Sequence, residues 1–166
     1  MRGWCLSTMG QAAEGIPLLL RGLDSYGITG AKLVVPLHLM MLTEALGTAG
    51  QPKQGLDRIA EAIELTETTQ ERWVEAEMHR LRGTLLLSMN EHDAAEYSFR
   101  HALAVSQRQR AKLFELRATT SLARLWGDQG KRTEARDLLA PIYGWFTEGF
   151  DTRDLREARA LLDALM

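Results

Sequence analysis

The chain has 166 residues, of which 45% are hydrophobic and 25% charged, and its formal net charge at pH 7 is −2. This apolar content is enough to bury one core, while a pI near 6.1 gives no electrostatic reason to expect a nucleic-acid partner. A single cysteine, Cys5, excludes an internal disulfide and a thiolate metal cluster, and no apolar run reaches the roughly 20 residues that span a membrane. We therefore expect a cytoplasmic protein without a membrane segment, in which Cys5 is a small buried hydrophobic residue.

The sequence repeats itself with a period of 40 residues. The repeat is clearest at two positions that lie five residues apart. The first position is occupied by Gly10, Gly50, Asn90 and Gly130. The second is occupied by Gly15, Gly55, Ala95 and Ala135. A fixed period of this length is typical of stacked-repeat folds, in which each unit buries its apolar face only against its neighbours. Such a fold provides an extended binding surface rather than a catalytic pocket.

Each period divides into two amphipathic stretches, so the fold class predicted is all-α, an antiparallel helix-pair solenoid with a C-terminal capping helix. In chain order the predicted helices are Arg2–Met9, Gln11–Tyr26, Ala31–Thr48, Lys53–Thr68, Glu71–Met89, Glu91–Arg108, Lys112–Gln129, Lys131–Thr147 and Thr152–Leu165. In the second helix of a unit, apolar residues recur four apart, as at Phe99 and Leu103. The residue between the two helices must end the first helix with a positive φ, which suits glycine and asparagine.

We interpret the chain as one domain, made of a partial repeat at 1–30, repeats at 31–70, 71–110 and 111–150, and a cap at 151–166. Its opening helix, Arg2–Met9, is much shorter than its counterparts. We expect this truncation to leave Leu18, Leu19 and Leu20 uncovered, and such patches favour association. The sequence therefore predicts the C-terminal piece of a longer protein, or a fragment of one, with possible homo-oligomer formation through this end.

No catalytic, cofactor-binding or metal-binding motif is present, so we expect a protein that is not an enzyme. The segment 27–32 has the wrong spacing for a phosphate-binding loop and is interpreted as a loop between units. The histidines form no pair at metal-ligand spacing. A basic stretch from Arg100 to Lys112 could meet phosphate, but without interleaved aromatic residues it is better explained by helix C-terminal charges. Trp73, Trp126 and Trp145 are interpreted as packing residues between units.

The pattern around each turn resembles the tetratricopeptide repeat (TPR). In the last copy a small residue eight positions into the first helix is followed by the turn glycine, an alanine and apolar residues, which are Ala123, Gly130, Ala135, Leu139 and Ile142. The period departs from the usual length of about 34 residues, and Thr43 replaces the small residue in an earlier copy. The resemblance implies longer helices or longer loops than in the standard repeat.

Two stretches, 71–83 and 118–126 followed by 139–152, resemble the C-terminal repeat region of large bacterial signalling proteins. That family joins an adenylate/guanylate cyclase or DNA-binding domain to a signalling ATPase and then to repeats. The resemblance implies a regulatory or sensor module that binds a protein or peptide, which could be another domain of the same parent protein. The alternative is a repeat domain that directly assists the cyclase or ATPase, with Arg80 or Arg124 reaching a nucleotide.

In TPR-like superhelices the first helices line the concave face, so the partner-binding residues are expected there. The candidates on this face are Met40, Glu44, Glu77, Arg80, Thr84, Arg117, Thr120 and Arg124. Two interpretations are open: a ladder of charges that links neighbouring helices, or a polar groove for a peptide or domain. We assign a ladder role to Glu77 and Arg117 and a docking role to Arg80 and Arg124.

Overall fold

The computed structural model describes residues 1–166 and contains helices but no strand. The helices are α1 (Arg2–Thr8), α2 (Ala12–Ile28), α3 (Val35–Thr48), α4 (Pro52–Thr69), α5 (Glu75–Ser88), α6 (His92–Gln109), α7 (Lys112–Asp128), α8 (Arg132–Tyr143) and α9 (Arg153–Ala164), with a 3₁₀ turn at Arg72–Val74 before α5. None of them combines the length and the apolar character needed to cross a bilayer.

Consecutive helices pack against each other, and each of α3, α5 and α7 also contacts the next odd-numbered helix. This is the pattern of an antiparallel helix-pair solenoid, in which the odd-numbered helices form one layer and the even-numbered helices the other. Helix α9 follows α7 at the 40-residue period, and it packs against both α7 and α8 at the C-terminal end of the stack. The predicted all-α solenoid with a terminal cap is confirmed.

Close helix crossings explain the small residues of the repeat. Gly83 on α5 lies against α6, where an added Cβ would meet the Phe99 ring at 2.5 Å and the Ala95 carbonyl oxygen at 3.1 Å. Ala95 and Phe99 are fully buried, so the two backbones approach as closely as side chains allow. The residues equivalent to Phe99 in the other second helices are also buried, and they are Leu19, Ile59 and Leu139.

The turn between the two helices of a unit has a positive φ in all four copies, as predicted. Gly10, Gly50 and Gly130 have φ values of 85°, 71° and 82°, and Asn90 has 63°. Positive φ costs little for glycine and is tolerated by asparagine. These residues end each first helix and turn the chain into the second.

Several predicted helix ends were wrong. Helix α3 begins at Val35 rather than Ala31, because Pro36 in its first turn would clash with the carbonyl group four residues earlier in a longer helix. The start predicted at Glu71 is replaced by the 3₁₀ turn, and α5 begins at Glu75. Helix α8 ends at Tyr143, not Thr147, and is followed by Gly144.

The N-terminal end exposes less apolar surface than predicted. Leu19 is only 5% exposed, because it packs with Met41 and Leu42 of α3. Leu18 is half-buried, and only Leu20, at 42%, is exposed. The expectation that all three leucines would be uncovered was therefore wrong for Leu19. The short helix α1, together with α3, is enough to cover it.

Candidate functional site

The concave layer of the solenoid encloses a cavity of about 530 Å³. All 18 residues that line this cavity belong to α1, α3, α5, α7, α9 or the 3₁₀ turn before α5. None comes from α2, α4, α6 or α8. We call this cavity the first-helix groove, because one helix of every unit contributes to it.

The six residues predicted from the sequence to bind a partner all line the first-helix groove. They are Glu44 on α3, Glu77 and Arg80 on α5, and Arg117, Thr120 and Arg124 on α7. Met40 also lines the groove, whereas Thr84 is exposed outside it and donates a hydrogen bond to the carbonyl oxygen of Arg80. The 40-residue register thus placed side chains from three helices around one cavity. Their use in binding a partner remains a prediction.

An ion-pair chain runs across the groove from α5 to α9. The Arg80 guanidinium donates to both carboxylate oxygens of Glu77, at 2.9 and 2.7 Å. Arg117 Nη1 lies 3.5 Å from Glu77 Oε1, and the Arg117 guanidinium donates to both oxygens of Asp154 at 2.9 Å. The chain joins three consecutive units, so Glu77 and Arg117 do form a ladder. Arg80 belongs to the same ladder through its pair with Glu77, and its docking role remains a prediction.

The ladder stabilises the charged form of Arg117. Burial lowers the pKa of Arg117, but the hydrogen bond to Asp154 and the charges of Glu77 and Asp154 outweigh this effect, so the pKa is raised above its ordinary value. Glu77 is itself buried. A buried carboxylate held between two guanidinium groups is compensated, whereas removal of one arginine would leave part of its charge unbalanced.

Glu44 and Arg124 occupy the same repeat position two units apart, but they do not form an ion pair. The Glu44 carboxylate accepts a hydrogen bond of 2.6 Å from the indole Nε1 of Trp4. Arg124 is exposed and makes neither an ion pair nor a side-chain hydrogen bond, although the other three arginines that line the groove, Arg80, Arg117 and Arg153, each pair with a carboxylate. Arg124 is therefore the cation in the groove that a ligand can reach without breaking an ion pair.

Thr120 lies one turn before Arg124 and is buried. Its hydroxyl group donates to the Leu116 carbonyl oxygen at 2.8 Å, and the neighbouring Ser121 hydroxyl donates to the Arg117 carbonyl oxygen at 3.0 Å. Each hydroxyl has used its proton within the helix and keeps acceptor capacity toward the groove. This part of α7 therefore offers one cation and two acceptors.

Aromatic side chains also line the groove. Trp73 is 53% exposed, and Trp4 and Phe114 are half-buried. Trp73 and Trp145 are not the buried packing residues that the sequence predicted, since their side chains are 53% and 57% exposed. Trp126 does pack, against buried residues of two clusters around α7 and α8, and the Arg100 guanidinium lies 5.6 Å from its ring centroid.

Sequence reasoning missed Trp4 and Asp154, although the period contained the signal. Trp4 stands 40 residues before Glu44, and Asp154 stands 40 residues after Phe114. Extending the register into the short opening helix and the cap would have placed both in the groove. Cys5, next to Trp4, is exposed rather than buried, because α1 packs on α2 through Gly3 and Ser7 instead.

No protein-family model and no curated protein matches the chain. Among solved structures, two crystal structures of a kinesin light chain-type protein of Podosopora anserina with nearly identical TPR-like repeats, one a point variant, are similar to it. Their TM-scores are 0.75 and 0.74 at 15% identity, with 98% of this chain and 81% of those chains covered. The crystal structure of MamA matches with a TM-score of 0.58 at 17% identity over 98% of this chain and 91% of that one. Because sequence identity is low, these similarities concern the fold: the chain folds as a TPR-like repeat solenoid.

Proposed function

We propose that this protein is a non-catalytic interaction module whose first-helix groove binds a segment of another protein, or of another domain in the same parent protein. The observation that carries the proposal is Arg124, an exposed guanidinium without a carboxylate partner in a groove whose other arginines are paired. A polypeptide that supplies a carboxylate or a carbonyl oxygen there gains a hydrogen bond to a charged donor at small cost.

The walls of the groove suit a polypeptide better than a small charged molecule. Trp4, Trp73 and Phe114 provide aromatic surface next to the polar strip of α7. Aromatic side chains at interfaces contribute apolar contact area, and their fixed shape limits the entropy lost on binding. The paired ladder Arg80–Glu77–Arg117–Asp154 adds no net charge, so the ligand is expected to carry few charges beyond the one that meets Arg124.

The resemblance of stretches 71–83, 118–126 and 139–152 to bacterial regulators supports a signalling context. In that arrangement the repeat module would report the presence of a partner to a cyclase, ATPase or DNA-binding domain of the parent. The groove would be the sensor surface, and the stack of units would transmit occupancy through the ladder that joins α5, α7 and α9.

A second candidate function is direct help to a nucleotide-processing domain, and the free guanidinium of Arg124 is the observation that favours it. Arginine can stabilise charge that develops on a transferred phosphoryl group. Calorimetric titration of the isolated protein with ATP and with GTP separates the two functions. An interaction module gives no heat of binding, whereas a nucleotide-assisting domain binds and loses binding with Arg124→Ala.

The proposed function is tested by selecting peptides from a random display library on the purified protein. Selected peptides should bind with a Kd of about 1–100 µM, and Arg124→Ala should weaken them at least about tenfold, since a desolvated arginine anchor contributes about 1.4 kcal/mol or more. Arg136→Ala on α8 is the matched control, because this arginine is exposed outside the groove. Equal weakening by both variants, or by neither, would contradict a groove site.

A further inference from the structure

The charges that line the first-helix groove balance, and most of them are paired within the protein. Four arginines and four carboxylates line the groove. Three ion pairs use three charges of each sign, and they are Arg80 with Glu77 at 2.7 Å, Arg117 with Asp154 at 2.9 Å and Arg153 with Glu157 at 2.7 Å. One charge of each sign remains without an ion pair. These two residues are Glu44 and Arg124.

Glu44 has no cation at close range. Its carboxylate accepts a hydrogen bond from the indole N–H of Trp4 at 2.6 Å, and this donor is neutral. The Glu44 side chain is half-buried, so it has lost part of its hydration, which a cation replaces better than a neutral donor does. Arg117 and Arg153 interact with the charge of Glu44 only from beyond ion-pair distance. Each of these arginines has a closer carboxylate partner.

The two unpaired charges belong to one row of side chains across the stack. This row has one member per unit at intervals of 40 residues, and its members are Trp4, Glu44, Thr84 and Arg124 on α1, α3, α5 and α7. Thr84, between the two charges, is exposed and neutral, and its hydroxyl group donates to the Arg80 carbonyl oxygen. The row therefore has a carboxylate toward one end, a neutral centre and a guanidinium at the other end.

The distance between the two charges suits one extended segment of a protein. Helix α3 contacts α5, and α5 contacts α7, so the axes of α3 and α7 are separated by two steps of about 8–10 Å. An extended chain rises about 3.3 Å per residue. Two side chains about five or six positions apart therefore reach both charges. A single amino acid or another small zwitterion holds its own charges too close together to do so.

We propose that the first-helix groove selects a dipolar protein segment, in which a lysine or arginine side chain meets Glu44 and an aspartate or glutamate side chain meets Arg124. This ligand class rests on the proposed function, to which it adds the charge pattern of the partner. A purely acidic segment would place a carboxylate beside Glu44, and a purely basic one would place a cation beside Arg124. Each replaces an attractive contact by a repulsive one. The three internal ion pairs favour neither sign.

The probe is the tightest peptide selected from the random display library, resynthesised with blocked termini so that only its side chains carry charge. We expect it to contain a basic and an acidic residue about four to seven positions apart. Glu44→Gln removes the charge but keeps an oxygen that can accept from Trp4, and it should weaken the peptide about fivefold or more in fluorescence anisotropy. The same peptide with glutamine in place of its basic residue should bind wild type and Glu44→Gln equally, because the pair that the variant removes is already absent.

Exchange of both charges provides the converse test. The variant Glu44→Arg/Arg124→Glu should prefer, by about tenfold, the peptide in which the basic and acidic residues are also exchanged. Glu134→Gln on α8 is the matched control, because Glu134 is exposed, forms no ion pair and lies outside the groove. This control should leave the affinity unchanged. If the exchanged protein does not fold, the comparison between Glu44→Gln and the glutamine peptide still decides the question.

Selected peptides whose charges are all acidic, or a peptide that Glu44→Gln binds as tightly as wild type does, would overturn the dipolar ligand. If such peptides still lose affinity with Arg124→Ala, the groove remains the binding site, so the two failures are distinguishable. Failure to select any peptide would overturn both proposals. A dimer of the free protein that Glu44→Gln dissociates would overturn the assignment to a partner protein, because the groove would then bind a second copy of this chain.

Discussion

At the scale of single residues, Asn90 is where the backbone is most constrained among the turns within units. Its φ is 63°, and the glycines of the three equivalent turns also have positive φ values. An L-residue without a compensating side chain loses about 1–2 kcal/mol in this conformation. We predict that Asn90→Ala lowers the free energy of unfolding by about 1 kcal/mol, while Asn90→Gly stays within about 0.5 kcal/mol of wild type. Urea denaturation measures both, and an alanine variant as stable as wild type would refute the role of the turn.

His79 makes stability depend on pH. It is buried on α5 and stacks on His101 with ring centroids 4.0 Å apart. Burial, together with the positive charges of His101 and Arg82, lowers the pKa of His79 from 6.5 to about 4. At pH values between about 4 and 6.5, His79 binds a proton in the unfolded chain but not in the native state. The free energy of unfolding therefore falls as the pH is lowered through this window.

The predicted loss is up to about 3 kcal/mol between pH 7 and pH 4, from the size of the shift. His79→Gln removes the titrating group, so its stability should fall less over the same interval. Urea denaturation of both proteins at several pH values checks this. An identical pH dependence in wild type and His79→Gln would show that the buried imidazole is not responsible.

At the scale of helices, the crossing of α5 and α6 limits what the repeat tolerates. A Cβ at Gly83 would lie 2.5 Å from the Phe99 ring, and the ring is buried with little room to move. We predict that Gly83→Ala destabilises the protein by about 1–3 kcal/mol, although alanine is the better helix former. The control is Gly22→Ala inside α2, where a Cβ meets nothing within 4 Å; it should stabilise by about 0.5–1 kcal/mol. A thermal melt in which both variants shift in the same direction would contradict the close crossing.

The helices show what sequence reasoning can predict for such a fold. The period located all nine helices and the turn residues, because one packing solution is repeated with the same small and large side chains. It did not locate the start of α5 or the end of α8. Helix ends depend on contacts particular to one unit, such as the Glu71 carboxylate on the Val34 N–H, and these contacts do not repeat.

At the scale of the whole molecule, the register predicted which six side chains share the groove but not which of them are paired. Arg80 is held by Glu77 on its own helix, three residues away. This local pairing competes with the contacts between units that the register suggests. Arg117 reaches Asp154 on the cap, a helix that the site prediction had not included. The result is a ladder that neutralises most of the groove and leaves Arg124 available.

The central claim, that a protein segment binds in the first-helix groove, is tested most directly by photo-crosslinking. A library-selected peptide that carries a photoreactive residue is bound and irradiated, and the crosslinked residues are identified by mass spectrometry. We predict crosslinks on α3, on α5 and the 3₁₀ turn before it, and on α7, around Trp73, Phe114 and Arg124, which disappear with Arg124→Ala. Crosslinks confined to α4, α6 and α8 would contradict the account.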